Sequence, residues 1–148
     1  MESLSENKRA RFDYEILQTL EAGIELKGFE VKSAKAGRMN LAGAYAVPKG
    51  SELCLLNADI PPYQANNTPE GYDSKRSRRL LLKTEETREL LGAIAHVNLT
   101  IVALKVYNKR GLIKVELALA KPKKTADKRE SIRKREVKRE MHRALRSQ

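Results

Sequence analysis

The chain has 148 residues, enough for one packed domain and an appendage, and its single cysteine excludes an internal disulfide. Its net charge of +11 is unevenly spread: from Lys121 onward there are twelve Lys/Arg against four Asp/Glu, a net of +8, which leaves +3 for residues 1–120. The longest apolar-looking run, Leu90 to Leu104, is broken by Gly92, His96, Asn98 and Thr100 and is too short to span a bilayer, and the polar start MESLSENKRARF does not read as a secretory signal.

Residues 1–8 read as a flexible lead-in. Tyr14 to Leu26 reads as two short strands joined near Glu21-Ala22-Gly23. Gly28 and Gly37 bracket a helical turn over Glu30 to Lys35. Leu41 to Val47 and Glu52 to Asn57 are strand-like, with Pro48-Lys49-Gly50 as the hairpin turn. Pro61 to Ser77, rich in Pro, Asn and Gly, reads as a long loop of the kind that usually carries function. Thr84 is placed to cap a helix, with Glu85 and Glu86 at the positive end of its dipole and Leu90, Leu91, Ile94 and Ala95 on its apolar face. Leu99 to Tyr107 and the alternating Ile113, Val115, Leu117 and Leu119 form an antiparallel hairpin around Asn108-Lys109-Arg110-Gly111, with Lys114 and Glu116 on a wet face. Pro122 then ends the last strand, since it has no N–H to give to a ladder.

The expected fold is mainly β with inserted helices. A small body of about six short strands closes on itself, and the oligonucleotide-binding-type antiparallel barrel is the best-known solution. The domain is expected to span residues 1–120, followed by a basic C-terminal tail over 121–148. Within the tail, DKRESIRKREVKREMHRALR offers only Ile132, Val137, Met141 and Leu145 as large apolar residues. A helix of this length is marginal alone, so the tail is expected to be disordered when free and helical once a polyanion neutralises it.

No catalytic constellation is present. His96, His142 and Cys54 lack metal-ligand spacing, Cys54 sits among leucines with no cation to activate it, and the glycines form no phosphate loop. The reading is therefore of a protein that is not an enzyme, with no metal and no cofactor. Basic clusters at Asn7-Lys8-Arg9-Ala10-Arg11, at Lys32, Lys35 and Arg38, and at Lys75 to Arg79 suit phosphate contacts from several directions. Tyr63 and Tyr72 in the long loop are candidates for stacking on unpaired bases. Two other readings are a general single-strand RNA binder, which would want more than seven aromatics, and a membrane-surface tail, which would want a broader apolar face.

Six motifs occur in register. They are Asn7-Lys8-Arg9-Ala10, Glu21-Ala22-Gly23-Ile24, Gly28-Phe29-Glu30-Val31-Lys32-Ser33, Asp73 to Leu82, Lys114 to Ala120, and Asp127-Lys128-Arg129. In order and spacing the chain resembles the SmpB family of SsrA-binding proteins. The resemblance implies a barrel that grips the tRNA-like domain of transfer-messenger RNA (SsrA RNA), and a ribosomal partner at the small-subunit decoding centre and mRNA channel. It implies trans-translation in the cytoplasm: the complex enters stalled ribosomes, frees them and tags the nascent chain for degradation. A monomer that engages no membrane is expected. Carried onto this sequence, Asn7, Glu21, Lys32, Arg76, Arg78 and Leu81 belong to the RNA-binding surface, and the basic clusters add Lys8, Arg9, Lys35 and Arg79. Lys83 stands where the family usually has His or Asn and would meet a phosphate. Lys123, Lys124, Asp127, Lys128, Arg129, Arg133, Lys134, Lys138 and Arg139 would be the ribosome-contacting tail.

Overall fold

The computed structural model describes residues 2–64, 66, 68–95 and 99–123. The tail expectations from Lys124 onward, and both histidines, lie outside the described residues. Among the described residues there are seven strands and three α-helices, in the order β1 (Glu2–Glu6), α1 (Lys8–Asp13), β2 (Tyr14–Ile24), α2 (Gly28–Lys35), β3 (Tyr45–Lys49), β4 (Glu52–Leu56), β5 (Arg78–Leu81), α3 (Thr84–Ile94), β6 (Thr100–Lys109) and β7 (Leu112–Pro122). Every strand pairing is antiparallel. The order runs β1-β6-β3-β4-β5-β2-β7, and β7 pairs back onto β6, so six strands close a barrel. β1 and β3 share one side of β6: β1 takes Lys105 to Asn108 and β3 takes Ile101 and Val102.

The barrel expected from the sequence is present, with several differences of detail. The lead-in is not loose: Glu2, Ser3, Ser5 and Glu6 pair with β6. Asn7 then caps α1, its Oδ1 accepting from the Ala10 N–H at 3.2 Å, which is the usual device for satisfying a helix's orphan amides. Tyr14 to Ile24 is one continuous strand rather than two. Leu17 is its extra residue, at a register shift between Ile16 and Gln18, and such a bulge bends a long strand around a barrel. Gly23 is no turn residue. A Cβ placed there would come within 3.2 Å of the Leu81 Cβ, a tight contact that glycine relieves where β5 approaches closely. Pro48 lies within β3, opposite Leu53, and the turn falls at Gly50-Ser51. Thr84 is already helical; α3 is capped instead by Glu86, which accepts from the Lys83 N–H at 3.2 Å. The ladder also continues past Ala120, with Lys121 opposite Glu15 and Pro122 opposite Tyr14.

Alternation sorts the side chains. Leu53, Leu55, Ile101, Val106, Val115 and Leu117 fill the barrel with Leu41, Ile60 and Leu90 from the connecting segments and α3. A bulge at Leu104 resets the parity of β6, so Val102 and Leu104 face outward. There they join Ala10, Ala118 and Ala120 in a second small core under α1. The expected wet face of the β6–β7 hairpin is thus wet only near Lys114 and Glu116. At the hairpin's tip, Arg110 and Gly111 both take positive φ, 54° and 85°, as a tight two-residue turn between twisted strands requires.

Candidate nucleic-acid interface

The outer face of β5, β2, β7 and β6 brings distant motifs together. Leu81, Gly23, Lys114 and Tyr107 stand in one register row across the four strands. The next row is Glu21, Glu116 and Lys105. Leu81 rests on the bare backbone of Gly23 and remains 46% exposed, an apolar side chain offered to solvent at the centre of the face. Beside it, the Glu21 carboxylate accepts a short hydrogen bond from the Tyr107 hydroxyl and another from Lys109 Nζ at 3.2 Å. The Tyr107 bond and then the Lys109 bond pull the Glu21 pKa below the usual carboxylate range, helped by the charges of Lys109 and Lys114. Burial and the Glu21 bond push the Tyr107 phenol up. Glu21 is therefore a fixed, ionised acceptor set among lysines, which suits a base amine or a ribose hydroxyl rather than a phosphate.

Toward β4 the face carries more cation. Arg79 bridges Glu52 at 2.9 Å and Glu25 at 3.7 Å, and is half exposed. Lys83 is exposed at the start of α3. A groove of about 630 Å³ runs between them, lined among others by Arg79, Leu81, Lys83, Thr84, Thr87 and Arg88. Thus Glu21, Arg79, Leu81 and Lys83 share one surface, and it includes Lys114, which the residue-by-residue reading passed over. The signal was available, since Lys114 alternates with buried Ile113 and Val115 and must point outward.

Two of the expected RNA contacts are interior. Arg78 is 0% exposed: its Nε and Nη2 lie 2.8 and 2.7 Å from Glu30 Oε2, and its Nη1 donates to the Ala58 carbonyl at 2.7 Å. Arg76 adds Nη2 to Glu30 Oε1 at 2.5 Å, and Tyr72 places its hydroxyl 2.9 Å from Oε2. Burial alone would raise the Glu30 pKa, but the bonds from Arg76, the Lys27 N–H, Arg78 and Tyr72 outweigh it and hold the group at about 2. Tyr72 is spent on this cluster, its pKa raised to about 12 by burial and by Glu30, and its ring meets Phe29 edge-on at 4.8 Å. It is no free stacking platform. Asn7, only 8% exposed, donates Nδ2 to the carbonyls of Leu41 at 3.1 Å and Ala103 at 3.0 Å. Asn7 and Arg78 therefore hold α1, α2 and the long loop to the barrel and have no surface to present.

The other expected contacts lie on separate ground. Lys8 and Arg9 are exposed on α1, where Arg9 pairs with Asp13 at 3.3 Å and covers Phe12. Lys32 and Lys35 are exposed on α2, and Arg38 follows it. Lys123 turns back onto α1, its N–H donating to the Asp13 carbonyl at 3.0 Å and its Nζ to the Arg11 carbonyl at 3.2 Å. No helix among the described residues is long and apolar enough to cross a membrane.

A sequence model of the SmpB protein family matches residues 4–147. The SsrA-binding protein of Trichodesmium erythraeum is 47% identical over 142 residues, covering 96% of this chain and 91% of that protein. That of Nostoc punctiforme is 45% identical over 144 residues, covering 97% and 93%. Among solved structures, a chain described as "tmRNA-SmpB: a journey to the center of the bacterial ribosome" is similar with a TM-score of 0.68 and 48% identity, over 86% of this chain and 93% of that one.

Proposed function

The chain belongs to the SmpB protein family, and from that premise we propose that it binds the tRNA-like domain of transfer-messenger RNA and delivers it to stalled ribosomes for trans-translation. The observation that carries the reading is the strand face on which Glu21, Leu81 and Lys114 converge from three different strands. An ionised acceptor, an exposed apolar side chain and a cation in adjacent rows are the set needed to grip unpaired bases in a folded RNA. Arg79 and Lys83 supply phosphate contacts at its border, and Lys8, Arg9, Lys32 and Lys35 supply them from the flanking helices. Arg76, partly exposed, serves the interior cluster first.

The body, whose last strand runs to Pro122 with Lys123 tied to α1, is the RNA-binding part. The tail beyond Lys123, with Lys124, Asp127, Lys128, Arg129, Arg133, Lys134, Lys138 and Arg139, meets the empty decoding centre and message channel by charge. The work is binding rather than catalysis and takes place in the cytoplasm, with one protein copy per RNA. A gel-shift comparing transfer-messenger RNA with an ordinary transfer RNA tests it. Clear preference for the former is expected; equal affinity would reduce the chain to a general RNA-binding barrel.

A further inference from the structure

Away from the strand face, α2 and the start of the long loop form an open cavity beside Lys32, to which the RNA-binding reading assigns only a general phosphate contact. It measures about 350 Å³ and is lined by Gly28, Phe29, Lys32, Tyr63 and Gln64. Tyr63 is 38% exposed and is held from both sides. Two residues before it, the Pro61 carbonyl accepts from Ser33 Oγ at 2.6 Å, and its own carbonyl accepts from Arg38 Nη1 at 3.2 Å. The Arg38 guanidinium also lies over the Tyr63 ring, 5.3 Å from its centre. Lys32 and Lys35 enter no ion pair among the described residues. The floor is bare as well: nothing lies within 4 Å of where a Gly28 Cβ would stand.

We propose that this cavity is an aromatic RNA subsite that takes one unpaired nucleotide, its base stacked on Tyr63 and its phosphate on Lys32. A ring whose backbone is tied to Ser33 and Arg38 through the Pro61 and Tyr63 carbonyls, with the Arg38 guanidinium against it, is already oriented, so little order is lost when a base lands on it. The bare Gly28 leaves room for a flat ring, and the neighbouring Lys32, Lys35 and Arg38 match the charge of a phosphate. An apolar peptide would leave Lys32 and Lys35 without ionic partners. The proposal rests on the RNA-binding reading for its natural ligand, but the pocket's chemistry can be tested separately.

Two measurements on the full chain decide it. The first is affinity for the tRNA-like RNA. Tyr63→Ala is expected to weaken binding by about tenfold, as loss of one base–aromatic stack does, without changing the salt dependence, and Tyr63→Trp to restore it. Lys32→Gln is expected to weaken binding and to lower the salt slope by about 1. Gly28→Leu, which fills the cavity from a backbone with no positive φ, is expected to match Tyr63→Ala while leaving the circular dichroism unchanged. The second is the fluorescence of a single-stranded RNA pentamer carrying 2-aminopurine, quenched by wild type and not by Tyr63→Ala. Wild-type affinity in both Tyr63→Ala and Gly28→Leu, or a quench indifferent to Tyr63, would overturn the subsite. Quenching that depends on Tyr63, in a chain without preference for the tRNA-like RNA, would sustain the subsite and sink the larger reading.

Discussion

At the scale of single residues, Glu30 shows how a charge can sit in an interior without being a defect. It is 0% exposed, but each of its oxygens accepts from an arginine. Its folded pKa of about 2 lies below the ordinary 4.5, so folding is favoured by its ionisation. That contribution is complete above pH 4.5 and is lost as pH falls toward 2. Glu30→Gln is expected to cost about 3 kcal/mol at neutral pH, because it leaves buried Arg78 without a counter-charge, and to flatten the acid limb of the stability profile. Urea unfolding between pH 3 and 7 measures both effects. Glu21 makes the contrast. It is exposed, so Glu21→Gln should leave the melting temperature nearly unchanged and weaken RNA binding; unchanged affinity would remove Glu21 from the interface. The parity of Arg78 with buried Leu80 was readable in RSRRLLL, since the alternation puts Arg78 and Leu80 on one side and Arg79 and Leu81 on the other. The eye follows the charge instead of the period, and a buried arginine betrays itself only through a carboxylate partner 48 residues away.

At the scale of elements, the sequence announced those whose partners are local. The β6–β7 hairpin and α3 carry strict alternation or a helical stripe and a recognisable turn, and they form where expected. β1 carries one apolar residue, Leu4, and is a strand only because β6 offers it a ladder. β2 is half polar, and the bulge at Leu17 shifts its period midway, so two short segments were expected where one curved strand exists. The end of β7 invites a test. Lys121 and Pro122 pair with β2, and Lys123 donates to Asp13. A chain ending at Lys123 is expected to melt like the full protein, whereas one ending at Ala120 should melt several degrees lower, because the second small core loses its cover. Equal thermal melts for the two would show those last three residues to be ornamental.

At the scale of the whole molecule, the charge split and the barrel divide the labour. Removal of residues 124–148 is expected to keep affinity for the tRNA-like RNA within a few-fold and to abolish peptide tagging in a reconstituted translation assay; lost RNA binding would sink that division. Affinity should also fall steeply as salt is raised from 50 to 200 mM, since phosphate contacts release counterions, and a flat titration would count against an ionic interface. The barrel has a further consequence, in the order of synthesis. Among the described residues β7 is the last strand made, yet it is the partner of both β2 and β6, so the ring cannot shut until translation has covered most of β7. A chain cut short on a broken message has two long strands without their common neighbour, and slow, long-range β pairing of this kind tolerates no missing member. A copy cut short before β7 therefore cannot close its barrel, whereas one that ends beyond Lys123 closes it and lacks only the basic tail.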